Sequence, residues 1–117
     1  MGVWEIMIQH FFMNEEIAFE DLGNGVKRKI LAHNEPLMIV EVHFEEGAVG
    51  NQHTHFHSQA TYVLEGKFKF TVNGEDKIVT KGDSIYMEKD VLHGAVCLEK
   101  GILLDIFNPK REDFLKK

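Results

Sequence analysis

The residues best suited to chemistry in this chain are three histidines within five positions, His53, His55 and His57, with Gln59 two residues beyond. In an extended strand alternate residues share a face, so the four side chains could all point inward, with His57 either a metal or substrate contact or a residue at the rim of the site. Imidazoles buried side by side need a partner for their lone pairs. Neutral imidazole is the commonest metal ligand, so a metal ion is the partner this pattern suggests. A solvated polar loop is the competing reading. His93, in the mostly apolar run from Leu92 to Cys97, would read alone as a core histidine. Beside a site one ligand short it reads as a further ligand. Imidazole and amide oxygen accept nickel, zinc, manganese, iron and cobalt alike, so one divalent transition metal per chain is expected with its identity open.

A second constellation lies near the end of the chain. Asp105 interrupts an apolar strand on the face it shares with Leu103 and Phe107. If that face lines the interior, burial raises the carboxyl pKa, and a buried acid beside a metal site suits general acid/base work. A paired structural aspartate at a strand end is the alternative. Arg111 follows Pro109 closely enough to curl back as a bidentate clamp for a ligand carboxylate, or else to remain a solvated charge of the tail.

These residues must be held by short strands. Val26 to Ala32, Leu37 to Phe44, Ala60 to Glu65, Lys67 to Val72, Lys77 to Thr80, Ser84 to Met87, Leu92 to Cys97 and Ile102 to Phe107 all read as extended runs between turn residues. Phe68, Phe70 and Val72 face one way while Lys67, Lys69 and Thr71 face the other. Asn73-Gly74 is a hairpin signal, since both residues tolerate the positive φ of a type I′ turn. Helix is expected only over Asn14 to Phe19 and from Pro109 to Lys117. The pattern predicts an all-β antiparallel sandwich or small barrel. Residues 1–15 read as an N-terminal arm and 16–117 as the folded domain. The apolar arm segment from Trp4 to Ile8 is expected to be an edge strand that pairs with a second copy, giving a homodimer.

The stretch of Gly47, five residues, His53, one residue, His55, three residues, Gln59, six residues and Gly66 resembles the first motif of the cupin family. Gly82 with His93 eleven positions on resembles the second. The likeness covers roughly residues 26 to 107 and implies a single-domain cupin, a small antiparallel double-stranded β-helix or jelly-roll barrel. It also implies metal ligation by His53, His55, Gln59 and His93. The chain departs from the family pattern at Gln59 for glutamate, Glu88 for proline, Asp90 for glycine and Cys97 for asparagine. With Gln59 all four ligands are neutral. A divalent ion then keeps its full charge and favours anionic ligands in its open positions.

The phrases Tyr62-Val63-Leu64-Glu65-Gly66-Lys67-Phe68 and Leu104-Asp105-Ile106-Phe107, with Pro109 and Arg111-Glu112-Asp113-Phe114, are similar to pectin-degradation cupins of the KdgF type. That resemblance implies a metal-dependent enzyme that linearises 4,5-unsaturated monouronates from pectin or alginate breakdown to 4-deoxy-5-keto-uronates. It places the catalytic aspartate, phenylalanine and arginine on Asp105, Phe107 and Arg111. Another metal-dependent cupin activity, oxygenase or sugar isomerase, is an alternative, as is a non-catalytic small-molecule-binding module.

Composition bounds the partners. The chain has 117 residues, 44% hydrophobic and 27% charged, with a net charge of −6. This suits one soluble domain and argues against nucleic acid or an anionic membrane surface as partner. Its one cysteine, Cys97, excludes an internal disulfide, fits a reducing compartment and reads as a small buried hydrophobe. No targeting signal is evident. Ile6 stands where a myristoylation signal needs a hydroxyl residue, and no apolar run approaches the about 20 residues that span a bilayer. A cytoplasmic location and a small uronate sugar as partner are the expectations.

Overall fold

The computed structural model describes residues 8–116. A 3-10 turn at Asn14–Glu16 precedes eight strands: β1 (Glu20–Gly23), β2 (Val26–Asn34), β3 (Leu37–Phe44), β4 (Val49–His53), β5 (Ser58–Val72), β6 (Glu75–Thr80), β7 (Ser84–Met87) and β8 (His93–Asn108). A one-turn helix, α1 (Glu112–Leu115), closes the chain. Every pairing between strands is antiparallel.

The long strands β5 and β8 run side by side for nearly their whole length, from Ser58 opposite Asn108 to Val72 opposite His93. Each serves two layers. The second half of β8 pairs with β3 and the first half of β5 with β7, whereas the first half of β8 pairs with β4 and the second half of β5 with β6. This wraps the sheet into an all-β jelly-roll barrel.

Glycines make the bend possible. Gly66 has φ of +87°, and a Cβ there would lie 2.5 Å from the Lys100 carbonyl oxygen and 2.6 Å from Gly101 Cα. A Cβ on Gly101 would in turn lie 2.5 Å from the Glu65 oxygen and 2.7 Å from the Phe68 ring. The pairing register shifts on both sides of Glu65. Gly66→Ala therefore combines left-handed strain with a backbone clash and should cost more than about 2 kcal/mol, read as a lowered midpoint in urea denaturation.

Alternation fills the barrel as expected. Met38, Val40 and Phe44 of β3 and Phe68 and Phe70 of β5 are buried. Phe44 and Phe68 meet edge to face, with centroids 5.3 Å apart. The larger core cluster includes Phe68, Phe70, Met87 and Leu103; a smaller one, Met38, Val40 and Phe107, is covered by Phe114 and Leu115. Cys97, 1% exposed, belongs to the larger cluster, and burial pushes its thiol pKa up.

Three local expectations are corrected. The two predicted helices shrink to the Asn14–Glu16 turn and Glu112–Leu115. No side chain caps the start of either, and Ile17 and Lys116 are already extended. The tail is held by packing Phe114 and Leu115 onto the barrel, not by helix length. Two strands, β1 and β4, escaped the sequence pattern because each is short and largely exposed, with little apolar alternation. The histidines do not share one strand: β4 ends at His53 and β5 begins at Ser58, with irregular chain between. The Asn73-Gly74 turn has φ of 51° and 80°, as a type I′ hairpin requires.

The apolar arm from Trp4 to Ile8 lies outside the described residues except for Ile8, which is exposed. Among the described residues no helix is long and apolar enough to cross a membrane.

Candidate functional site

The break after β4 is what gathers the ligands. His53 ends β4 directly opposite His93, the first residue of β8. His55 reaches the same place from the loop, and Gln59 from the second position of β5. Ring centroids lie 4.6 Å apart for His53 and His93 and 4.8 Å for His55 and His93, and the candidate ligand atoms of the three all fall within 4.8 Å of one another. His57 is not part of this group. It is buried against Phe56, at 4.0 Å between centroids, with its Nδ1 unpartnered. Of the two places open to His57, alignment with the other histidines is the one the structure excludes, because the strand stops at His53.

Backbone carbonyls settle the state of each ring. Nδ1 of His53 donates to the Asn51 oxygen at 2.7 Å, that of His55 to the His57 oxygen at 3.0 Å, and that of His93 to the Val91 oxygen at 3.0 Å. A carbonyl only accepts, so each Nδ1 carries a proton, and in the neutral form of each ring the lone pair is on Nε2, free for a cation. Burial lowers the pKa of His55 and His93, which favours that neutral form. The Nε2 of His93 is buried without a hydrogen-bond partner, and the Nε2 of His55 lies 2.9 Å from Gln59 Oε1. Three converging lone pairs and an amide oxygen are a donor set that a divalent cation satisfies, and the residues present fit a metal ion.

Next to these ligands is a cavity of about 170 Å³ whose wall includes His53, Gln59, His93, Asp105, Phe107 and Arg111. All three residues expected on the acid side of the site are thus brought beside the expected metal ligands. Asp105 sits on β8 between Val40 and Thr61. Its remaining exposure is toward the cavity it lines. Burial pushes its pKa up to about 6, against the opposing pull of the Thr61 and Gln59 hydrogen bonds and the Arg111 charge. Thr61 Oγ1 donates to Asp105 Oδ1 at 2.6 Å and accepts from Gln59 Nε2 at 2.9 Å.

Arg111 does reach the cavity, but one of its edges is already engaged. Nε and Nη2 donate to the two oxygens of Asp113 at 3.1 and 2.9 Å, a pairing that holds the Asp113 carboxyl below its ordinary pKa. A ligand carboxylate would meet the other, Nη1 side of the guanidinium. The group also lies over Phe114, at 4.2 Å, and near Phe107, at 5.1 Å.

The cavity holds residues that sequence reasoning missed. Arg28 of β2 lines it, stacks 3.8 Å from the Phe114 ring and pairs through Nε with Glu20 at 2.9 Å. Phe114 is thereby in contact with two guanidinium groups. Phe114 carried no signal of its own in a charged tail, whereas Arg28 did, as a charge on the strand face it shares with Val26 and Ile30.

A family model described as "Cupin domain" matches residues 40–107, more than half of the chain. The chain belongs to the cupin family. This cupin is 44% identical over 110 residues to the pectin degradation protein KdgF of Dickeya dadantii, a match covering 92% of this chain and 100% of that protein. Among solved structures it is similar to an RmlC-like cupin from Shewanella frigidimarina, at 48% identity and a TM-score of 0.88, over 92% of this chain and 96% of that one. It is also similar to KdgF from Halomonas sp., at 39% identity and a TM-score of 0.87, over 92% and 99%.

Proposed function

We propose that this cupin opens the ring of 4,5-unsaturated monouronates to give 4-deoxy-5-keto-uronates. Its likeness to proteins named for pectin degradation supports a sugar-derived substrate. The observation that carries the reading is the placement of Asp105, Phe107 and Arg111 in one cavity with His53, Gln59 and His93. At about 170 Å³ the cavity suits a single small ring.

His53, His55 and His93 through Nε2, with Gln59 through Oε1, would hold one divalent transition metal. When bound, such an ion supplies Lewis-acid stabilisation of negative charge on substrate oxygen. Asp105, as carboxylate, takes the proton of the anomeric hydroxyl. The electron pair left on that oxygen forms the carbonyl at C1 as the bond from C1 to the ring oxygen breaks. The ring oxygen leaves as the enolate of C4 and C5, and the proton held by Asp105 returns to C4, leaving a ketone at C5. Atoms and electrons balance without a co-reactant. Arg111 faces the C6 carboxylate, with Asp113 fixing the angle of its guanidinium, and Phe107 offers the sugar an apolar surface. Product identity tests the reading: proton NMR should show the vinyl C4 signal replaced by a methylene, and a product that keeps the vinyl proton would contradict it.

Arg111→Ala should raise KM about 10- to 100-fold with a smaller effect on kcat, as expected for loss of a charge-assisted contact present in ground and transition states alike. An unchanged KM in steady-state kinetics would remove Arg111 from substrate binding.

The expected setting is the cytoplasm. The unit would be a domain of residues 16–117 with an arm of residues 1–15, assembled as a homodimer through the arm. Exposed Ile8 and Phe11, the latter 80% exposed, support an apolar arm in search of a partner. Sedimentation should give a dimer at micromolar concentration and a monomer once the arm is deleted.

A further inference from the structure

We propose that Thr61 is a positioning residue for the metal centre: its hydroxyl, anchored on Asp105, sets which end of the Gln59 amide faces the three histidines. The inference rests on the reading of Gln59 as a metal ligand. A glutamate at this position would present an oxygen whichever way it turned. A glutamine presents an oxygen one way and an NH₂ group the other, and the NH₂ end would close the site to a cation. Something must choose between them.

Thr61 lies two residues beyond Gln59 on the same face of β5, is 1% exposed and pairs across the sheet with Asp105. Toward a carboxylate its hydroxyl can only donate, which it does at 2.6 Å. Its oxygen is then left to accept, and it accepts from Gln59 Nε2 at 2.9 Å. With the NH₂ end so occupied, Oε1 is turned to His55 Nε2 at 2.9 Å. Three side chains thus form one hydrogen-bonded row, from acid to hydroxyl to amide, and the amide oxygen at its end faces the Nε2 lone pair of His55, as two ligands of one cation would.

The test titrates metal-free protein with Co²⁺, whose visible absorption reports both occupancy and ligand set. Thr61→Val, nearly isosteric, should weaken Co²⁺ binding about 10- to 100-fold and alter the absorption, and Thr61→Ser should restore both. Gln59→Leu should weaken binding as well, and adding Thr61→Val to it should cost little more, because the two act as one unit. Circular dichroism confirms folding, and Thr61→Ala takes the place of Thr61→Val if the latter does not fold. Wild-type affinity and spectrum in the folded hydroxyl-free variant, alongside weakened binding in Gln59→Leu, would overturn the role of Thr61 alone. Wild-type affinity and spectrum in Gln59→Leu would overturn the reading of Gln59 as ligand, and this inference with it.

Discussion

Asp105→Asn should leave the barrel and the metal site intact while lowering kcat on unsaturated monouronates by about 10²–10⁴-fold, the usual cost of removing a positioned general acid/base. The replacement keeps the shape of the side chain and an oxygen to accept from Thr61, so neither packing nor the hydrogen-bonded row need change. It also removes a charge held where charge is disfavoured. The folded protein raises the Asp105 pKa from an ordinary 3.8 to about 6, so it holds this proton more tightly than the unfolded chain does. The resulting stabilisation is complete below about pH 4 and is lost as pH rises through about 6. Metal-free Asp105→Asn should accordingly melt above the wild type at pH 7, with the difference vanishing near pH 4. Calorimetry across that range checks the stability half, and steady-state kinetics checks the rate.

His93→Ala should reduce bound metal from about one ion per chain to near zero after dialysis. His93 is the ligand candidate whose Nε2 is buried without any other partner, so nothing nearby can replace it. Metal should raise the melting temperature of the wild type, because it binds only the folded site, and should leave that of His93→Ala unchanged. His53→Ala should behave in the same way. His57→Ala should keep its metal, since that ring packs on Phe56 and lies outside the cluster. Elemental analysis of the folded variants distinguishes these outcomes. Equal metal content in wild type and His93→Ala would move the ion elsewhere.

What the sequence made legible was local. The alternation of Phe68, Phe70 and Val72 and the Asn73-Gly74 turn are set by neighbours in the chain, and they recur in the structure as a hairpin between β5 and β6. The interruption of β5 at Gly66 was legible, since the runs Ala60 to Glu65 and Lys67 to Val72 part there, but its cause was not: the approach of Gly66 to Lys100 and Gly101, which only the fold brings near. The role of His57 stays open in the sequence for a related reason. Period-two alternation holds within a strand, and nothing local announces that β4 stops at His53.

In the site, the residue types that ligate or ionise stood out, and those that orient them did not. Thr61 reads as an ordinary strand threonine until β5 and β8 pair and bring it to Asp105, 44 positions away. Arg28 becomes a cavity residue only because β2 joins β3 and the tail folds back to lay Phe114 against its guanidinium.

The most direct measurement of the central claim is the rate at which lyase-generated unsaturated monouronates lose the ultraviolet absorbance of their conjugated C4=C5 bond. Metal-loaded protein is compared with a protein-free control, which reads any spontaneous opening, and with metal-loaded Asp105→Asn. A catalysed loss well above the control, collapsing toward it in Asp105→Asn, is the predicted result. A rate equal to the control with fully metal-loaded wild-type protein would contradict the account and leave a cupin that binds a small molecule without transforming it.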